Sequence, residues 1–177
     1  MYKRLRRWEI AGFLLTGIAG PLLHFTYRWS GENRIVAAFS AVNESTWEHM
    51  KLLFVPVFLF SLVEMVVLTG RYRNLLAAKL TATLLGLAAI PVLFYTYTGI
   101  WGRSSMAADI AIFYIAAALV YWCGYKFLEK GRLGGGALQI ASLLILWGLA
   151  FLMVWFTYVP PHIALFKAPY TGLSGIP

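Results

Sequence analysis

Five stretches of this chain, each about twenty residues long and nearly free of charged side chains, leave it few folds to choose from. They run from Trp8 to Trp29, Lys51 to Thr69, Leu75 to Tyr97, Met106 to Leu128 and Ala137 to Tyr158. Backbone in hydrocarbon finds no water to bond, so each crossing segment must close its own hydrogen bonds. At about 1.5 Å per residue, a helix needs about 20 residues to cross. Composition agrees, because 60% of the residues are hydrophobic and only 12% charged, roughly half the charge of a typical soluble domain. The expected fold is all-α: a single polytopic membrane domain, a bundle of about five transmembrane helices with an extra interfacial helix. The spans are expected at about 8–29, 45–69, 75–98, 105–129 and 137–159, the interfacial helix at about 33–42, and a C-terminal flap over 160–177.

The basic start "MYKRLRR" looks like the head of a signal peptide. The following "GIAGPLLHFTYRWSG" lacks a short apolar region closed by a small-x-small site, so the first span is expected to stay in place. A net charge of +8 would suggest nucleic acid in a soluble chain. Here the basic residues flank apolar spans, so membrane lipids, with no nucleic acid, are the expected surroundings. Cys123 is the single cysteine, and dithiol redox chemistry needs a pair.

With the N-terminus in the cytoplasm, the inner side receives Lys3, Arg4, Arg6, Arg7, Arg71, Arg73, Lys79, Lys126, Lys130 and Arg132. The outer side receives Arg28, Arg34, Lys51, Arg103 and Lys167. Basic residues favour the cytoplasmic side, so the chain is expected to be multi-pass in a cell (inner) membrane, N-terminus inside and C-terminus outside. That threading brings His24, His49 and His162 to the outer side together with Glu32, Glu44, Glu48 and Asp109. Trp29, Tyr95, Tyr97, Trp101, Trp155 and Tyr158 would ring the same side as an aromatic belt.

The densest polar block is "NESTWEHMKLLFVP", residues 43–56. Ser45 followed by Glu48 reads as a capping box opening the second span. Lys51 reads as the i+3 partner of Glu48 or as an interfacial snorkeller, and Trp47 as an interfacial anchor. In the segment before it, Ile35, Phe39 and Val42 fall at helical spacing. At the other side, Glu64 and Lys79 flank the short "GRYRN" turn at matching depths, roughly 8 Å into the membrane at about 1.5 Å per residue. A buried carboxylate is costly unless paired, so an ion pair between them is expected.

At "HFTYRWSGENRIVAAFSAVNESTWEHMKLLFVP" and at the tail "PPHIALFKAPYTG", the chain resembles a family of small bacterial polytopic membrane proteins classed as a domain of unknown function. The likeness covers nearly the whole length. It implies a bacterial inner-membrane protein and carries no catalytic role to any residue.

The polar groups themselves suggest chemistry. Three or four nitrogen or oxygen donors converging on one point can hold a divalent metal such as zinc, and His24, His49 and His162 are the candidate ligands. Glu44, Glu48 and His49 are the candidate catalytic groups, one to move a proton and another to orient the imidazole. Asn33, Asn43, Lys51 and Asp109 are candidate substrate contacts. Ser45 and Thr46 are conceivable nucleophiles, although capping accounts for Ser45. The reading is a metal-assisted hydrolase or transferase acting on a lipid or lipid-linked substrate. The alternative is a non-catalytic binding, transport or accessory protein that uses the same cluster to recognise a ligand or partner. Transport fits less well, since transporters place polar groups at mid-membrane and carry internal repeats. A homo-oligomer is compatible with every one of these features.

Overall fold

The computed structural model describes residues 2–68, 70–169 and 171–176, Tyr2 by its backbone alone. The expected end of the second span at Thr69, and Tyr170 and Pro177 of the tail, lie outside the described residues. Among the described residues there are six α-helices and no strand: α1 (Tyr2–Trp29), α2 (Arg34–Ala37), α3 (Thr46–Leu68), α4 (Leu75–Trp101), α5 (Met106–Lys130) and α6 (Gly136–Tyr158). All but α2 are long and apolar enough to cross a membrane.

Helices α3 and α4 occupy the centre. Helix α3 packs against α1, α4 and α6, while α4 packs against α3, α5 and α6. Contact between α1 and α5 closes a four-helix ring, with α6 seated on the α3–α4 edge. The core of that ring is Leu53, Phe54, Val57 and Phe60 of α3 with Ala82, Leu87 and Ile90 of α4 and Ala116, Ala117 and Val120 of α5. Helices α4 and α5 approach closely because Gly86 has no side chain: a Cβ there would collide with Val120 and come 3.1 Å from the Ala116 carbonyl. Small residues allow such contact in lipid, where backbone approach and dispersion replace the hydrophobic drive. The outward face of α6, with Leu144, Trp147, Phe151 and Trp155, stays exposed, as a lipid-facing surface should.

Helix α1 turns a narrow stripe inward: Leu5, Glu9, Gly12, Thr16, Gly20 and Tyr27 are buried. These positions repeat at steps of three, four and seven residues, the period of an α-helix face. His24 lies on the same stripe, four residues after Gly20. One helix face therefore carries an acid into the bundle near one end and an imidazole near the other.

The segment between α1 and α3 departs from expectation. Helix runs only over Arg34–Ala37, capped by the Asn33 carboxamide oxygen accepting from the Ile35 N–H at 2.8 Å, and does not continue to residue 42. Ser40 stops it by binding the end of α1: its hydroxyl donates to the Leu23 carbonyl and accepts from the Tyr27 N–H at 2.9 Å. Ile35 and Phe39 point outward while Ala37, Ala38, Ala41 and Val42 are buried. The tail folds back over this end. Asn43 donates to the Gly175 carbonyl at 2.8 Å, and Ile176 packs on Tyr27, Ala37 and Val42.

Candidate metal centre at the histidine-bearing rim

Three of the expected site residues meet. His24 comes from the inward stripe of α1, Glu44 from the loop before α3, and His49 from the first turn of α3. His24 Nε2 lies 3.4 Å from one Glu44 carboxylate oxygen, and His49 Nε2 lies 3.7 Å from the other. Each residue offers one ligand atom such that all three fall within 4.8 Å of one another. Tetrahedral ligands at about 2.1 Å from a zinc ion stand roughly 3.4 Å apart. The two histidine–carboxylate separations are close to that spacing.

The hydrogen bonds set the ring chemistry. His49 Nδ1 lies 2.9 Å from the Ser45 carbonyl, an acceptor only, so this nitrogen carries the proton. In the neutral ring Nε2 is then a lone pair facing a carboxylate oxygen. Two acceptors facing each other are satisfied by a proton, a metal cation or a donating water between them. A backbone carbonyl holding the far nitrogen of an imidazole is also the support that metal-ligating histidines use. His24 Nδ1 is buried with no hydrogen-bond partner. The His24 ring bonded to Glu44 holds that carboxyl below the usual carboxylate range, which keeps Glu44 anionic at neutral pH.

Glu44 and His49 also border a narrow apolar crevice, lined by Ile90, Phe94, Ile112 and Phe113 and reaching Asp109. Tyr97 donates to Asp109, and the Ser105 N–H donates to Tyr97 at 3.1 Å, so Asp109 is oriented as well as placed at the start of α5. Thr46 and Phe94 are shared with a wider groove that runs under the tail past Arg103 and Lys167. The apolar slot beside Glu44 and His49 thus adjoins the cationic groove at Thr46 and Phe94.

Other expected members lie elsewhere. Glu48 turns away from His49 into the protein, 2.6 Å from Lys51, and both are fully buried. Lys51 also donates to the Ala37 carbonyl at 2.9 Å and to Thr157 at 2.7 Å, while Glu48 accepts from the Val42 N–H at 3.2 Å. These two residues tie α2, α3 and α6 together; Lys51 is no snorkeller. Only half of the expected capping box forms. The Glu48 N–H donates to Ser45 at 3.3 Å, but the Ser45 N–H goes to the Asn43 side chain at 2.8 Å. That substitution releases the Glu48 carboxylate for Lys51. His162 is exposed and outside the three-residue group. Asn33 caps α2 at an exposed position and Asn43 pins the tail. Trp47 is no interfacial anchor: it is buried, its ring 4.7 Å from Phe166 and 5.4 Å from Phe156.

At the opposite end, the expected pair is present, with Lys79 Nζ 2.8 Å from Glu64. Glu9, unassigned from sequence, joins it at 2.7 Å. Its signal was an acid on the small-residue stripe of α1.

DUF6512, a family of unknown function, matches residues 1–176. No curated protein and no solved structure matches the chain. The chain belongs to the DUF6512 family.

Proposed function

We propose that this DUF6512 member is a membrane-embedded enzyme that holds a divalent metal such as zinc at His24, Glu44 and His49. The metal would assist hydrolysis or group transfer on a lipid or lipid-linked substrate at the outer face of a bacterial inner membrane. The observation that carries this reading is His49 Nε2, made an acceptor by the Ser45 carbonyl, facing the Glu44 carboxylate with His24 on its other oxygen. Two imidazoles and one carboxylate are a ligand set that leaves a position open for water or substrate, and a bound zinc ion there would polarise either.

The surroundings support a lipid substrate. The apolar lining beside Glu44 and His49 favours a nonpolar substrate portion at the mouth of the crevice, and the groove with Arg103 and Lys167 suits an anionic headgroup. Asp109, already oriented by Tyr97, stands where it could accept a proton or a substrate hydroxyl. Basic residues gathered at the far end of the bundle support a cytoplasmic N-terminus.

Titration of zinc into the purified, metal-stripped protein tests the site. One zinc ion per chain should bind, with affinity falling at least about tenfold in His24→Ala, Glu44→Ala and His49→Ala and unchanged in His162→Ala. Equal binding by all four variants ends the proposal. Loaded protein mixed with membrane lipid extract, followed by mass spectrometry with and without chelator, separates enzyme from accessory protein. Metal binding without metal-dependent turnover leaves only the binding role.

A further inference from the structure

The far end of the bundle holds a second cluster, independent of the rim. Lys79 of α4 touches Glu9 of α1 at 2.7 Å and Glu64 of α3 at 2.8 Å, and all three are buried. Lys79 donates to Glu9 Oε1 and is ion-paired with Glu64 Oε2. Both acids reach one ammonium, so the two carboxyl groups flank the same charge. Glu9 Oε2 and Glu64 Oε1 are buried without a hydrogen-bond partner.

The charges do not balance. Two carboxylates and one ammonium would leave a net negative charge inside a low-dielectric bundle, which is far more costly than adding a proton. Among the described residues, Lys79 is the cation within ion-pair distance of Glu9 and Glu64. From α5, Tyr121 presents its ring to Lys79 at 5.6 Å, and its hydroxyl is hydrogen-bonded to Thr16 of α1 at 2.7 Å.

We propose that Glu9, Glu64 and Lys79 form a one-proton binding site within the membrane, the proton residing on one or the other of the two glutamates while Lys79 pairs with its partner. A metal cation suits the place poorly. The ammonium already fills the seat between the acids, and α5 closes the flank, since a Cβ on Gly124 would come 3.3 Å from Glu9 Oε2 and 3.6 Å from Lys79 Nζ. A sodium ion would need several further oxygens; a proton needs one. The unpartnered oxygens are the atoms to which it binds and from which it can leave, which makes the site a reservoir for proton exchange among α1, α3 and α4.

Infrared spectroscopy of glutamate-labelled protein in an ester-free detergent reads the proton directly, through the carbonyl stretch of a neutral carboxylic acid. At neutral pH the wild type should show one such band. Glu9→Gln and Glu64→Gln should each abolish it, because each leaves one acid paired with Lys79. Lys79→Met should roughly double it, since two unpaired buried acids must both be neutral. Absence of the band in wild type overturns the proposal, as does its survival in both glutamine variants, provided these elute and melt as folded protein. Loss of the band on adding sodium at constant pH assigns the site to a cation and also overturns it.

Discussion

The bundle buries two lysines, and it treats them differently. Lys51 faces one acid, Glu48, and each of its three N–H groups has an acceptor in Glu48, Ala37 or Thr157. Lys79 faces two acids, Glu9 and Glu64, and carboxylate oxygens around it are left without partners. The first arrangement is balanced in charge and saturated in hydrogen bonds, so it acts as a clamp between α2, α3 and α6. The second is unbalanced and unsaturated, so it retains chemistry. Burial of an ionisable group in a membrane protein is therefore not by itself a functional mark; the charge count and the leftover lone pairs are.

The sharpest way to break this comparison is Lys51→Met. It strands the Glu48 carboxylate and should destabilise the folded protein by about 3–5 kcal/mol in detergent unfolding, with much of the loss recovered by adding Glu48→Gln. Next is a matched pair of substitutions. Glu48→Gln removes the one counter-charge of Lys51 and should cost at least about 2 kcal/mol. Glu64→Gln leaves Lys79 paired with Glu9 and should cost less than about 1 kcal/mol. Equal costs would mean that the two clusters do the same structural job.

The smallest effect belongs to the rim. The His24 bond holds the Glu44 carboxyl below its ordinary range. The stability from that contact is therefore full above the ordinary glutamate pKa and is lost as pH falls through the lower folded value. Glu44→Gln should flatten this acid limb in melting curves taken as a function of pH. Glu44 is half exposed, so the change should be slight beside those at Lys51 and Glu48.

Much of the rim was legible in advance because depth along a helix can be counted. His24, Glu44 and His49 were placed on one side by the threading of the spans, and Glu64 and Lys79 were matched by their distances from one short turn. Rotation about each helix axis was less legible. Glu48 and His49 are neighbours in sequence but point apart, one into the clamp and the other to the rim, as successive helical residues diverge by about 100°. Asn43 decided which way Glu48 turned, by taking the N–H that a full capping box would have given it. Trp47 was expected at the interface, but the fold-back of Phe166 covers it.

What the sequence determined by itself was the all-helical, five-span plan, because hydrocarbon permits only segments of sufficient length that satisfy their own backbone. It also determined which groups share an end, since one residue advances the helix by a constant rise. The tertiary structure decided which of those groups touch. Glu9 reached Lys79, and His24 reached Glu44, only once α1 had chosen the face it turns toward α3 and α5, and that choice depends on close packing of small residues from several helices at once.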